Sequence, residues 1–122
     1  MSTSQGRSGE DIAARYLSRR GFNIIARNIR LGRGELDIVA CCDDLVLFVE
    51  VKTHKTRDSG LLAVNEDKCA RLYSAAEAWL AKHPQYTGLQ CRFDLIIVTP
   101  RMGLPSWVPA RIEHMKDIIR AC

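Results

Sequence analysis

The sequence predicts an α/β sandwich built on a mixed β-sheet, and three observations carry that prediction. Two segments, SGEDIAARYLSRRG and AVNEDKCARLYSAAEAWLAKHP, space their apolar residues at helical intervals. Two apolar runs, ELDIVACC and LVLFVEVK, meet at the turn-forming pair Asp43 and Asp44 and read as a β-hairpin. A further run after the second helix, RFDLIIVT, is almost continuously apolar, in the manner of a strand buried on both faces.

The first helix is predicted over about residues 9–20. Ser8 stands as its N-cap with Asp11 three residues on, Ile12, Ala13, Tyr16 and Leu17 share a face, and Gly21 ends it. FNIIARNI, residues 22–29, carries β-formers without helical periodicity and runs into the turn-prone LGRG. Residues 35–42 and 45–52 supply the hairpin strands. The second helix covers residues 66–82, with Asn65 as N-cap, Val64 and Cys69 as a hydrophobic staple, and Trp79 on the apolar face. Residues 92–99 form the next strand, and the tail WVPARIEHMKDIIRAC holds a short strand followed by a helical turn. The order is therefore α-β-β-β-α-β plus a short C-terminal element. The helix between the third and fourth strands makes those two parallel, joined by a right-handed crossover.

With 122 residues, 47% apolar and 26% charged, the chain fits one domain over 1–122 and excludes disorder and collagen-like repeats. The opening MSTSQGRSGE has no apolar run after a basic stretch, so no secretory signal is expected. The longest apolar runs, LVLFV and LIIV, fall far short of the roughly 18 residues a membrane span needs, so a cytoplasmic protein without membrane association is expected. Five cysteines, an odd number without metal-ligand spacing, read as reduced thiols. His54, His83 and His114 share no spacing that suggests catalysis.

The net charge of +4 is unevenly spread: residues 1–33 carry +5 and residues 34–122 carry −1. An arginine-rich front suits a phosphate polyanion, because the guanidinium fork binds phosphate in a bidentate way. A solvated helix face beside a loop accounts for the same residues equally well.

The chemistry concentrates in the hairpin. With Asp43 and Asp44 as the central turn residues, Asp37 faces Glu50 and Glu35 faces Lys52. Alternation puts these four on one face and Leu36, Ile38, Val49 and Val51 on the other. Two opposed carboxylates with Cβ atoms roughly 5 Å apart repel unless a cation sits between them. Mg²⁺ fits this need, since it takes one or two carboxylates, keeps several waters and completes its shell with phosphate oxygens. Lys52 beside it would orient and help deprotonate a water, or stabilise charge on an attacked phosphodiester. The alternative is a charge ladder on a solvated hairpin, with Glu35 pairing Lys52. The strongly apolar second strand speaks against that, because its charges at 50 and 52 are out of character with their neighbours.

The string GRGELDIVA, a short turn and LVLFVEVKT resemble the PD-(D/E)xK nuclease superfamily. More closely, SGEDIAARYL, the hairpin, AVNEDKCARLYSAAEAWL and CRFDLIIV resemble, in order over about residues 8–98, the small bacterial YraN-like family. The resemblance implies a restriction endonuclease-like fold, Asp37 and Glu50 as metal ligands with the Val51 carbonyl, and Lys52 as base or charge stabiliser. Glu10 would match the acid such nucleases contribute from the first helix, although a helix dipole also explains an acid there. Glu35 would hold a second metal or pair Lys52. The family's usual VKTR departs here to His54, which weakens one expected phosphate contact.

The expected function is a Mg²⁺- or Mn²⁺-dependent endonuclease hydrolysing DNA phosphodiesters. Branched, Holliday junction-like DNA and a homodimer follow from the architecture's resemblance to small junction resolvases. Arg30, Arg33, Lys55, Lys68 and Arg71 are the candidates for phosphate contact, Asp94 is expected to make structural hydrogen bonds, and exposed Trp107 could stack on a base. Two alternatives stand: a non-catalytic nucleic-acid-binding or recruitment module on the same fold, and a structural protein with an ordinary salt-bridge cluster.

Overall fold

The computed structural model describes residues 4–53, 66–101, 103–105 and 107–118. Helix α1 (Ser4–Arg19) is followed by strands β1 (Asn23–Leu31), β2 (Gly34–Cys42) and β3 (Leu45–Thr53). Helix α2 (Glu66–Lys82), a 3₁₀ turn (Pro84–Tyr86), β4 (Gln90–Thr99) and β5 (Arg111–Met115) complete the order. The expected α/β arrangement with a mixed sheet is therefore present. Val64 and Asn65, the proposed staple and cap residues, lie outside the described residues.

Helix α1 already runs at Ser4, so Ser8 lies inside the helix and the expectation that it caps the helix is corrected. SQGR holds no proline, and its one glycine, Gly6, costs the helix only about 1 kcal/mol. Its end is as expected. Gly21 adopts φ 94°, Phe22 N–H donates to Leu17 O at 3.1 Å and Gly21 N–H to Ser18 O at 3.1 Å, the two bonds of a Schellman closure.

The five strands lie in the order β1-β2-β3-β4-β5. The β2–β3 hairpin is antiparallel, with Cys42 opposite Leu45 and Ile38 opposite Val49, so the two-residue turn and its register are as read. Strands β3 and β4 are parallel, with Leu45 opposite Gln90 through to Thr53 opposite Val98. Strand β5 adds antiparallel to β4, which gives the C-terminal tail its short strand.

Helices cover both faces of the sheet. Ala13, Leu17, Ile38, Ala40, Leu47, Val49 and Ile96 form one core layer beneath α1. Leu36, Val39, Val46, Phe48, Ala76 and Trp79 form the other beneath α2, with the Phe48 and Trp79 rings edge to face at 5.9 Å. The central position of β3 explains why its residues are so apolar.

Leu36 and Ile38 were expected on one face, but they pack on opposite faces. The cause sits on the neighbouring strand. Arg27 pairs with Ile38 and Ile29 with Leu36, while Asn28 between them takes φ 53°, so regular alternation is lost opposite Asp37. Strict period-2 reasoning has no way to register such a left-handed residue in mid-strand.

Among the described residues no helix is long and apolar enough to cross a membrane. Cys41, Cys42 and Cys91 are free, whereas Cys69, buried on α2, is disulfide-bonded, which corrects the expectation of five reduced thiols.

Candidate functional site

The β2–β3 ladder stops at Ile38 and Val49, and the two strands part where Asp37 and Glu50 stand. Asp37 replaces the missing ladder partner. Its Oδ2 accepts the Val51 N–H at 2.8 Å, which fixes the carboxyl against the backbone of β3. The Glu50 carboxylate stands beside it and adds its negative charge. Burial, reinforced by the negative charges of Glu50 and Glu10 and opposed only by the Val51 N–H, pushes the Asp37 pKa up to about 8.

Glu50 is 2% exposed. One carboxylate oxygen, Oε1, takes two ammonium groups, Lys52 Nζ at 2.9 Å from the same strand and Lys68 Nζ at 3.0 Å from α2. The other, Oε2, is buried without a hydrogen-bond partner among the described residues. Burial works against the Lys52 ammonium, but hydrogen bonding and charge from Glu50, with Asp37 adding to them, hold its pKa above the ordinary lysine value. Lys52 is thus a firmly charged group in this arrangement.

Glu10 turns inward from α1 and is buried. Asn28 hydrogen-bonds its carboxyl, yet Oε1 is left buried and without a partner among the described residues. Burial raises its pKa, while Asn28 and Arg27 pull it back. Arg27 itself is tied to Asp11 at 2.6 Å.

Glu35 does not face Lys52. It sits opposite Arg30 on β1 and meets its guanidinium at 3.7 Å, with half of its side chain exposed. The reason is the parting of β2 and β3: their pairing ends at Ile38 and Val49, whereas β2 stays paired with β1 out to Gly34, which leaves Glu35 to β1.

A cavity of about 310 Å³ opens between the β1–β2 turn and α2. Arg30, Arg33, Lys68 and Arg71 line it, so four of the five basic residues expected to contact phosphate stand around one space. Lys55 and His54 lie outside the described residues. Lys68 joins this cavity to Glu50, and Arg71 is braced by Asp67 at 3.2 Å. Gly34 lets β2 run against α2, because a Cβ there would collide with the Arg71 carbonyl.

Buried carboxylate oxygens without donors, Glu50 Oε2 and Glu10 Oε1, are the kind of atom that a hard cation satisfies. Among the described residues no group of three His, Cys, Asp or Glu side chains could hold an ion by itself.

Asp94 and His83 make contacts within the fold. Asp94, fully buried, receives Arg92 Nε at 2.9 Å, Arg92 NH2 at 3.0 Å and the Asp117 N–H at 3.0 Å, and His114 Nε2 lies 2.7 Å away. His83 stacks on Trp79 at 4.1 Å, and Trp107 is 81% exposed.

Sequence reasoning gave Lys68 only as a phosphate contact and missed Asn28. The signal for Lys68 was its place four residues before Leu72, on the border of the buried stripe. Asn28 offered a weaker one: an asparagine among β-formers is the residue that tolerates a left-handed φ.

The family model for the uncharacterised protein family UPF0102 matches residues 9–98, which include Glu10, both hairpin strands, α2 and most of β4. The chain belongs to the UPF0102 family. A UPF0102 protein of Rhodopseudomonas palustris is 44% identical over 108 residues, covering 88% of this chain and 82% of the relative. One of Bradyrhizobium diazoefficiens is 40% identical over 108 residues, covering 88% of this chain and 80% of that protein. One of Nitrobacter winogradskyi is 42% identical over 96 residues, covering 79% and 81%. The expected likeness to an uncharacterised bacterial family thus holds for UPF0102, and the match spans the whole carboxylate site.

Proposed function

We propose that this UPF0102 protein is a metal-dependent nuclease of the PD-(D/E)xK type on a restriction endonuclease-like fold, hydrolysing DNA phosphodiesters in the cytoplasm. The observation that carries the reading is the carboxylate pair Asp37 and Glu50, held in contact at the parting of two strands with Lys52 and Lys68 on Glu50. An ordinary salt-bridge cluster has no need to bury two opposed carboxyl groups, since one of them is then left repelled.

Asp37 and Glu50 would hold Mg²⁺ or Mn²⁺. The ion would supply Lewis-acid polarisation of the phosphate and activation of the attacking water. Lys52 serves as the ammonium that stabilises charge growing on the phosphate oxygens. Lys68 orients the Glu50 carboxylate, and Arg30, Arg33 and Arg71 grip a neighbouring phosphate in the adjoining cavity. Branched DNA is the proposed substrate shape, and a homodimer would bring two such sites to two strands.

The test is cleavage of end-labelled single-stranded, duplex, flap and four-way-junction DNA with Mg²⁺ or Mn²⁺, by the wild type, Asp37→Asn and Lys52→Ala. Cleavage by the wild type that both variants lose supports the nuclease. Absence of cleavage on every substrate overturns it.

A second reading, a non-catalytic nucleic-acid-binding module, is favoured by one observation: two ammonium groups already neutralise Glu50 Oε1. That module would bind junction DNA without cutting it, and Asp37→Asn and Lys52→Ala would bind it as tightly.

A further inference from the structure

A second large depression lies away from the carboxylates, between α1 and the loop that leads into β5. It encloses about 840 Å³. Its floor is aliphatic, with Ile12 from α1, Leu104 and Val108 from the loop, and Ile112 from β5. Its rim carries Arg15, Arg19 and Arg20 from α1 and Arg101 from the loop, and among the described residues no carboxylate lines it. Among the described residues the arginines with ion pairs are Arg27, Arg30, Arg71, Arg92 and Arg111, so none of the four rim charges is neutralised there.

We infer that this groove docks an acidic segment of a partner protein, one that alternates carboxylates with aliphatic side chains. Charge complementarity selects the sign of the partner, and the floor selects its class. Four guanidinium groups around an apolar trough satisfy carboxylates at the rim while aliphatic side chains fill the base. A nucleic acid would satisfy the arginines through its phosphates and stacked bases, but it has no aliphatic groups to place on the floor. Tyr16 is the aromatic residue lining the groove, and it is already engaged: the Arg20 guanidinium lies 4.7 Å over its ring, and its hydroxyl is hydrogen-bonded to His114 at 3.0 Å. Leu104 is half exposed at the groove, the kind of aliphatic surface that a partner covers.

The groove shares no lining residue with the carboxylate site or its basic cavity, so the inference does not rest on nuclease activity. It divides the arginine-rich front of the chain into two surfaces. Arg30 and Arg33 belong to the cavity beside Glu50, and Arg15, Arg19 and Arg20 to the docking groove.

The experiment is fluorescence anisotropy of the full chain with a labelled short peptide alternating aspartate and leucine, at about 0.15 M ionic strength where loose charge attraction is screened. Two control peptides replace leucine by serine or aspartate by asparagine, and a labelled oligothymidylate serves as the nucleic-acid probe. Saturable binding of the aspartate–leucine peptide is expected, weakened about tenfold or more in both control peptides, in Arg15→Glu/Arg19→Glu and in Leu104→Asp. Circular dichroism of each variant verifies folding, and exposed Leu104 supplies a change that leaves the core alone. The inference is overturned by absence of saturable peptide binding, by equal binding of the serine control, or by equal binding in the folded variants. It is also overturned if the oligothymidylate binds and is lost in Arg15→Glu/Arg19→Glu while the peptide does not bind.

Discussion

The carboxyl groups of Asp37 and Glu50 stand beside each other where β2 and β3 separate, and the repulsion between them governs the electrostatics of the whole site. Glu50 is compensated by two ammonium groups, whereas Asp37 has one backbone donor, Val51 N–H. The cost of the arrangement therefore falls on Asp37.

That cost sets the first prediction. A carboxyl whose pKa rises from 3.8 unfolded to about 8 folded keeps a proton in the native state that the unfolded chain gives up. Folding stability from this group consequently falls as pH rises from about 4 to about 8. Asp37→Asn keeps the acceptor for Val51 and removes the charge, so in chelator it should melt about 3–8 °C above the wild type at pH 8. The gap should close toward pH 4. Added Mg²⁺ should raise the melting temperature of the wild type but not of Asp37→Asn, as expected of an ion that binds only the native carboxylate site. A variant that melts no higher than the wild type at pH 8 would contradict the burial argument. Equal response to Mg²⁺ would contradict the metal site.

The two lysines on Glu50 are predicted to separate kinetically. Lys52 is proposed to act on the reacting phosphate, so Lys52→Ala should lower kcat by about 10²–10³-fold with KM little changed. Lys68 spans Glu50 and the basic cavity, so Lys68→Ala should raise KM as well as lower kcat. Steady-state cleavage assays at matched salt measure both. Identical kcat and KM changes in the two variants would show that the lysines act as one unit.

Asn28 carries a prediction about positioning. At φ 53° a β-branched side chain is strained, and Asn28→Val should destabilise by about 1–3 kcal/mol in chemical denaturation. Asn28→Gly accepts the same backbone freely and removes only the hydrogen bond to Glu10. Stability should then stay near that of the wild type while cleavage falls. If Asn28→Gly cleaves as well as the wild type, the Asn28 contact with Glu10 does not serve the reaction.

Much of this was legible in the chain because it is local. The two-residue turn at Asp43 and Asp44 fixes the hairpin register as far as Ile38 and Val49, which leaves Asp37 and Glu50 as the next residues on the two strands. Helical periodicity gave α2 its bounds for the same reason. What escaped depends on distant partners. The flip between Leu36 and Ile38 follows from Asn28 on another strand, and Glu35 goes to Arg30 because β2 stays paired with β1 after it has parted from β3. Lys68 reaches Glu50 only after α2 has packed on the sheet. Cys69 shows the limit from another side, since cysteine spacing gave no sign of a disulfide there.

Asp94 provides the last prediction, and its sign is opposite to that of Asp37. Burial alone would raise its pKa, but hydrogen bonds with His114, Arg92 and the Asp117 N–H outweigh burial and hold it below the ordinary 3.8. A carboxylate with a lowered native pKa contributes stability that is fully present above about pH 4 and is lost as acid titrates it. Asp94→Ala removes the acceptor that joins β4 to β5 and leaves the Arg92 charge without its partner, a loss of about 3–5 kcal/mol at neutral pH. Asp94→Asn keeps the shape but gives up the charge and one acceptor, so it should lose less. Urea denaturation of the wild type and Asp94→Asn from pH 3 to pH 7 reads the difference directly. A stability gap that is constant above pH 5 and narrows below pH 4 is expected, and a gap unchanged down to pH 3 would mean that Asp94 is not held as an anion by these partners.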